Sequence, residues 1–382
     1  MQHNVFLGLL LCGAFISCQS ATGKSGSNVD SADVASAQLL VEEDVQASPV
    51  DDRSSVTLAF TGDVLMGTNF PDSSYVTSDR GRSLFVDCDS LLRTADVAIG
   101  NLEGTCYYGT QGEIRKKANP NSNTYFIFRM PGDHAQRLVD AGFDAMGIAN
   151  NHAGDFGQTG RKLTQENLRG VGLQFSGQKG MAEETVIERD GIRYGYVAFA
   201  ASCSNTLDLN DAPARDALIK KLRPLCDILI VSFHGGAEGT AHSHVPCKPE
   251  YFLGENRGDV HKFAHECIDC GADIVIGHGP HVPRAMELYK GHLIAYSLGN
   301  FCAPYRMGTA GATGYAPLLR VQLDPKTGCF QTGRIHSFKQ VKTKGPRLDA
   351  TNAAAHNIAS LTKQDFPNSG LEFADDGTIT QK

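Results

Sequence analysis

Acidic, amide and imidazole side chains recur in this chain directly after short apolar runs. VTLAF (56–60) leads into Thr61-Gly62-Asp63, and DVAIG (96–100) leads into Asn101-Leu102-Glu103. AMGIA (145–149) precedes Asn150-Asn151-His152, DILIVSF (227–233) precedes His234, and DIVIG (273–277) precedes His278, with His281 shortly after. Two carboxylates, an amide oxygen and several imidazoles make a donor set for a divalent cation such as Mn, Fe, Zn or Mg. No cysteine stands at these run ends, which separates the set from a structural zinc site. A carboxylate between two cations, with histidines around it, is an architecture for activating water against a phosphate ester. Taken singly, each residue has an ordinary explanation. Asp63 or Asn150 and Asn151 can cap a helix or a turn, and a strand-end histidine can be a hydrogen-bonded structural group. Their recurrence at one place in the pattern selects the metal-binding reading.

The elements that must position them follow from the same pattern. Apolar runs that end in turn residues read as buried strands, and YGYVAFA (194–200) joins them. Helical periodicity falls between them at 83–95, 132–142, 158–171, 214–224 and 258–271. Strands alternating with helices predict an α/β fold with a parallel or mixed sheet. The C-terminal strand ends of such a sheet form its binding crevice, so distant residues can converge there. LIAYSLG (293–299) and APLLRVQLD (316–324) read as antiparallel strands. The chain from about 341 to 382 is polar and carries Pro, Asn and Asp, and is expected to be a loosely packed tail.

Length and composition bound the rest. The 382 residues are 41% apolar and 20% charged, as in a globular protein rather than a disordered one. A formal charge of −7 argues against nucleic acid as a partner. The apolar run VFLGLLLCGAFI (5–16) is too short to span a bilayer and suits a signal peptide. Ser17-Cys18 after it is similar to a bacterial lipoprotein signal, with Cys18 lipidated after cleavage, although the leading MQHN carries no Lys or Arg. A plain secretory signal is the alternative. Residues 19–55 are rich in Ser, Ala and Asp, hold much of the net negative charge, and read as a tether. These features predict an exported, membrane-anchored protein of the cell envelope. Of the cysteines beyond Cys18, most are expected as buried thiols, with one or two bridges.

The ordered motifs resemble the bacterial CapA family, named for poly-γ-glutamate capsule synthesis, within the calcineurin-like metallophosphoesterase fold. TGDVLMG (61–67), GNLEG (100–104), FRMPGDHAQRLVDAGFDAMGIANNHAGDFGQTG (128–160), FHGGAE (233–238) and CGADIVIGHGPHVPRAMELYKGHLIAYSLGNF (270–301) carry the resemblance. It covers roughly 56–340 and implies a four-layer αββα sandwich with mixed sheets. It also implies roles. Asp63 is a terminal ligand, Glu103 the bridging carboxylate, Asn151 an amide ligand, and His234, His278 and His281 imidazole ligands of one or two divalent ions. His152 is the proton donor to the leaving group and Asp155 orients it. Asn101, Asn150, Glu238 and Asn300 shape the pocket.

The departures from the family pattern are specific. Leu65 stands where the wider superfamily has His, which weakens one metal position. The His278–His281 spacing, longer than usual, puts His278 toward an outer shell. Gly235 stands where many relatives carry Trp, implying a more open wall. Beyond the core motifs, His242, His244 and Cys247 either bind zinc or form a polar insertion. His261 and His265 sit one helical turn apart, and Arg115-Lys116-Lys117 form a basic loop. The resemblance implies a phosphoester or an anionic surface polymer as partner, and a membrane synthase as a further one. Two competing readings are a non-catalytic accessory protein and an envelope amide hydrolase.

Overall fold

The computed structural model describes residues 53–114, 126–201 and 203–382. The signal-like segment 1–18 with Cys18, the 19–55 segment up to residue 52 and the basic run Arg115-Lys116-Lys117 lie outside the described residues.

Two mixed sheets form the centre. The larger has ten strands. Its path runs Leu371–Phe373, Thr378–Gln381, Phe330–Val341, Tyr315–Leu323, Val56–Val64, Val97–Leu102, Ala145–Gly147 and Gln174–Ser176. Asn300–Cys302 adds in parallel beside Val56–Val64, and Gly345–Leu348 pairs with Phe330–Val341. The second sheet has six strands, in the order Met286–Tyr289, His292–Ala295, Ile274–His278, Ile228–His234, Ile192–Ala200 and Glu184–Arg189.

The alternation of side chains along these strands builds the layers. Leu58, Phe60 and Ile99 of the large sheet meet Tyr196, Ile230 and Ile276 of the small one in a core between the sheets. Ala59 and Ala98 point outward and pack with α1 (Asp89–Arg93) and α2 (His134–Ala141), and α3 (Gly157–Gly170) lies on the same face. Leu229, Val231 and Phe233 point to the opposite outer face, under α4 (Ala212–Leu222) and α5 (Val260–Asp269). Helix, sheet, sheet, helix is the four-layer order expected from the resemblance.

Three expectations are corrected. The helix read over 83–95 shrinks to α1, because the Ser83 and Leu84 carbonyls accept hydrogen bonds from the Arg347 guanidinium instead of closing a helical turn. The chain beyond 341 is not a loose tail. It supplies three strands of the large sheet and α6 (Ala353–Asp365). Ala355 and Ile358 of α6 complete the inter-sheet core, and Leu361 enters the outer one. Asp349 fixes the entry to α6 by accepting bonds from Thr351 (2.7 Å) and the Ala353 amide (3.2 Å) and pairing with Lys339 (3.0 Å). Finally, all nine described cysteines are free, so the expected bridges are absent among them. Most are buried, where an apolar thiol packs as a small hydrophobe.

Candidate metal centre

The strand ends of both sheets meet at one place. Asp63 lies at the end of Val56–Val64, in register with Asn101 on one side and Asn300 on the other. That approach needs Gly62: a Cβ there would sit 2.0 Å from the Gly299 carbonyl, which itself accepts the Asp63 amide at 2.8 Å. Across the inter-sheet space, His234 and His278 end neighbouring parallel strands in register. Their loops stay close because Gly235 donates to the His278 carbonyl at 2.9 Å.

The Asn101 amide is the hinge of the cluster. It donates to Asp63 Oδ1 (2.8 Å) and Glu103 Oε2 (2.7 Å), so the two carboxylates share one donor. Asn150 holds Asn101 in turn, at 3.2 Å, and the Leu102 carbonyl at 2.8 Å. His281 Nδ1 lies 2.9 Å from Asp63 Oδ2 and 3.0 Å from Asn300 Oδ1. His234 Nδ1 is 3.4 Å from Glu103, and His278 Nδ1 is 3.7 Å from Asp63. His278 thus faces the same carboxylates from somewhat farther than His281 and His234 do. His281 holds φ 57°, a left-handed conformation that costs a non-glycine residue on the order of 1 kcal/mol and marks a constrained position.

The donor set fits a divalent cation on one observation. Glu103 Oε1, Asn151 Oδ1, His234 Nε2 and His278 Nδ1 are all buried without a hydrogen-bond partner. Each such atom costs about 1–3 kcal/mol when left unsatisfied. The oxygens have lone pairs to offer, each neutral imidazole has one ring nitrogen that does, and all belong to one cluster.

The electrostatics agree. Burial would raise the Asp63 carboxyl, yet the His281 hydrogen bond and the charges of His281, His234 and His278 hold it well below the carboxylate range. Burial and then the Asp63 charge push Glu103 up to about 8. Burial drives His234 well below its ordinary value and takes His278 down to about 4, leaving neutral imidazoles suited to coordination. Burial opposes a charge on His281 too, but its hydrogen bond to Asp63 raises it to about 9. Protons on Glu103 and His281 thus offset buried negative charge that a cation would otherwise offset.

Beside this cluster, His152 Nδ1 lies 2.8 Å from Asp155 Oδ2 and its Nε2 lies 4.0 Å from Glu103. Asp155 also accepts the Phe128 amide at 2.8 Å, and the Phe128 ring packs on the imidazole at 4.2 Å. His152 is therefore fixed in tautomer and orientation. Both residues line, or support the lining of, a cavity of about 470 Å³ that also receives Asn151, Glu238, His281 and Asn300.

The sequence reading missed two cavity arginines. Arg257 is 2% exposed; its Nη1 meets Glu238 at 3.0 Å, while Nε and Nη2 have no partner. Arg306 lines the same cavity with Nε and Nη2 unpartnered. Neither stands in a motif, and only their place on the Glu250–Gly258 hairpin and the loop after Cys302 brings them here. One further expectation changes, and one open alternative resolves to the polar insertion. Gly235 does not open the wall: a Cβ there would meet Leu209 at 2.7 Å and the Arg257 carbonyl at 2.9 Å, so the position is packed. His242, His244 and Cys247 do not converge as a zinc set. His244 pairs with Asp365 at 2.6 Å, and His242 packs edge-on against Phe252. Leu65 is fully buried in the outer core.

Residues 57–305 match the family described as bacterial capsule synthesis protein PGA_cap. Curated relatives include the PGA biosynthesis protein CapA of Bacillus subtilis, 26% identical over 64% of this chain. Another is a probable polyglutamine synthesis accessory protein of Mycobacterium tuberculosis, 28% identical over 61% of the chain. The chain spans 63% of the length of each. Among solved structures, a phosphatase of Mycoplasma pneumoniae aligns with a TM-score of 0.45 at 16% identity, over 74% of this chain and 93% of that one. With the match spanning 57–305, the chain belongs to the PGA_cap family of bacterial capsule synthesis proteins.

Proposed function

We propose that this protein is an exported, lipid-anchored, metal-dependent phosphoesterase acting in the assembly of an anionic cell-surface polymer. The observation that carries the reading is the group of buried, unpartnered donor atoms beside an oriented His152–Asp155 pair. Asp63, Glu103, Asn151, His234, His278 and His281 would hold one or two divalent ions of the Mn, Fe or Zn type. A cation bound there supplies Lewis acidity and lowers the pKa of water at the phosphorus. The chain's own residues do the remainder. Asp155 accepts a hydrogen bond from His152 Nδ1–H and stabilises the imidazolium, so His152 holds a second proton at Nε2. That proton goes to the departing oxygen as the phosphoester bond breaks. Arg257, buried in the cavity wall beside Glu238, supplies positive charge that attracts a substrate anion. Export rests on the 5–16 apolar run and Cys18, and the polymer assignment rests on the names of the relatives.

A non-catalytic accessory role is the second reading, favoured by Leu65, which removes one imidazole from the superfamily pattern. Hydrolysis of aryl phosphodiesters by the full chain, with Mn or Zn added, separates the two. The phosphoesterase reading expects metal-dependent turnover that Asp63→Ala abolishes. Turnover absent with every metal, or unaffected by Asp63→Ala, overturns it; turnover of envelope amides instead assigns the site to amide hydrolysis.

A further inference from the structure

A second group of metal-ligating side chains lies away from the strand-end centre. His261 and His265 stand one turn apart on α5, and Glu287 faces them from the edge strand Met286–Tyr289. One ligand atom from each lies within 4.8 Å of the other two. The imidazole rings lie 4.1 Å apart. His265 Nε2 bonds to Glu287 Oε1, and His261 Nε2 is 3.8 Å from the same oxygen. We propose that His261, His265 and Glu287 form a second metal site for zinc or a similar borderline dication.

Ligand chemistry and surroundings support this. Two imidazoles and a carboxylate are a zinc set, with the fourth position left to water. The i, i+4 spacing puts both imidazoles on one helical face, toward the same partner. The Tyr296 hydroxyl donates to Glu287 Oε1 at 2.5 Å, orienting the carboxylate from behind. The rings are walled by aromatic faces: Tyr289 stacks on His265 at 3.8 Å, and Tyr296 and Phe366 stack on His261 at 6.0 and 5.8 Å. The side chains are 26%, 23% and 12% exposed, enough for an ion to enter and for water to reach it.

Position gives the site a purpose. Asp259 caps α5 by accepting the Lys262 amide at 3.0 Å, directly after the Glu250–Gly258 hairpin that carries Arg257 and Phe252 into the cavity. An ion held between α5 and the edge strand pins the base of that wall. Phe366, just past α6, lies on the same aromatic cluster, so the C-terminal segment is fixed with it.

The test uses the full chain carrying Asp63→Ala, which separates this site from the strand-end centre. Zinc binding is followed by titration calorimetry and by the shift of thermal unfolding. The expected result is one zinc bound through this cluster and a rise in Tm, both removed when His261→Gln and His265→Gln are added. Glu287→Gln is the second variant. It keeps a hydrogen-bonding group for Tyr296 and His265 but loses the charge, and is expected to weaken zinc at least tenfold with an unchanged metal-free Tm. Zinc uptake and Tm shift identical in all these proteins, or no zinc bound in the Asp63→Ala chain, overturn the proposal. Failure here leaves hydrolysis at the strand-end centre intact, since that is read by turnover in the unsubstituted chain.

Discussion

The two histidine clusters of this protein solve opposite problems. The strand-end cluster draws its donors from separate strand ends of both sheets and buries them almost completely: Asp63 and Glu103 are 0% exposed and His234 is 1%. The outer cluster takes two histidines from one helix and a glutamate from an edge strand, and leaves them partly open to water. In the inner cluster several donors lack any partner, whereas in the outer one Glu287 is already bonded to His265 and Tyr296. A buried unpartnered donor is costly and points to a ligand that satisfies it. A partly exposed, hydrogen-bonded set is stable alone and binds an ion only by the margin that coordination adds. The inner centre should therefore hold metal tightly and the outer one weakly.

The largest expected effect concerns the group that only the inner cluster has beside it, an imidazole oriented by a carboxylate. His152→Ala should lower the rate roughly 10²–10⁴-fold on alkyl phosphodiesters, whose leaving oxygen needs a proton. It should have a much smaller effect on p-nitrophenyl esters, whose leaving group departs as an anion. Steady-state kinetics on both substrates checks this, and equal losses on both would instead make His152 a binding residue.

A smaller effect separates the clusters by pH. Metal entering the inner centre must displace the proton that Glu103 holds up to about pH 8 and the one that His281 holds up to about 9. Apparent affinity there should rise roughly tenfold per pH unit for each proton displaced between pH 6 and 8. The outer site, where burial holds His261 below its ordinary value, should show a shallower slope over the same range. Calorimetric titrations in buffers of different ionisation enthalpy count the released protons, and equal counts at the two sites would erase the distinction.

How much of this could be read from the sequence follows from the range of the interactions. The inter-sheet strands were legible because apolar runs such as DILIVSF and DIVIG end in turn residues, and a fully buried strand needs little more than that. The convergence of the strand-end residues was legible because a parallel sheet places equivalent positions together. α6 was not recognised, although Ala354, Ala355, Ile358 and Leu361 repeat at helical spacing. Its flanking Asn, Asp and Pro residues resembled loop composition, and Asp349 acts there as an anchor that composition does not reveal. Arg257 and Arg306 were invisible for a different reason. Each is a single charged residue in a polar stretch, and only the hairpin and the loop after Cys302 bring it to the cavity. The nine free thiols among the described residues show the same limit, since counting cysteines says nothing about which Cβ vectors meet.

The central claim is that the strand-end residues hold a divalent metal. Elemental analysis of the full chain, after incubation with Mn or Zn and removal of free ion, tests it most directly when run beside Asp63→Ala and His234→Ala. The account predicts one or two tightly held ions at this centre, lost in both variants and retained in the His261→Gln, His265→Gln protein. A chain that retains no metal under these conditions, or that keeps its full content after Asp63→Ala, would contradict it.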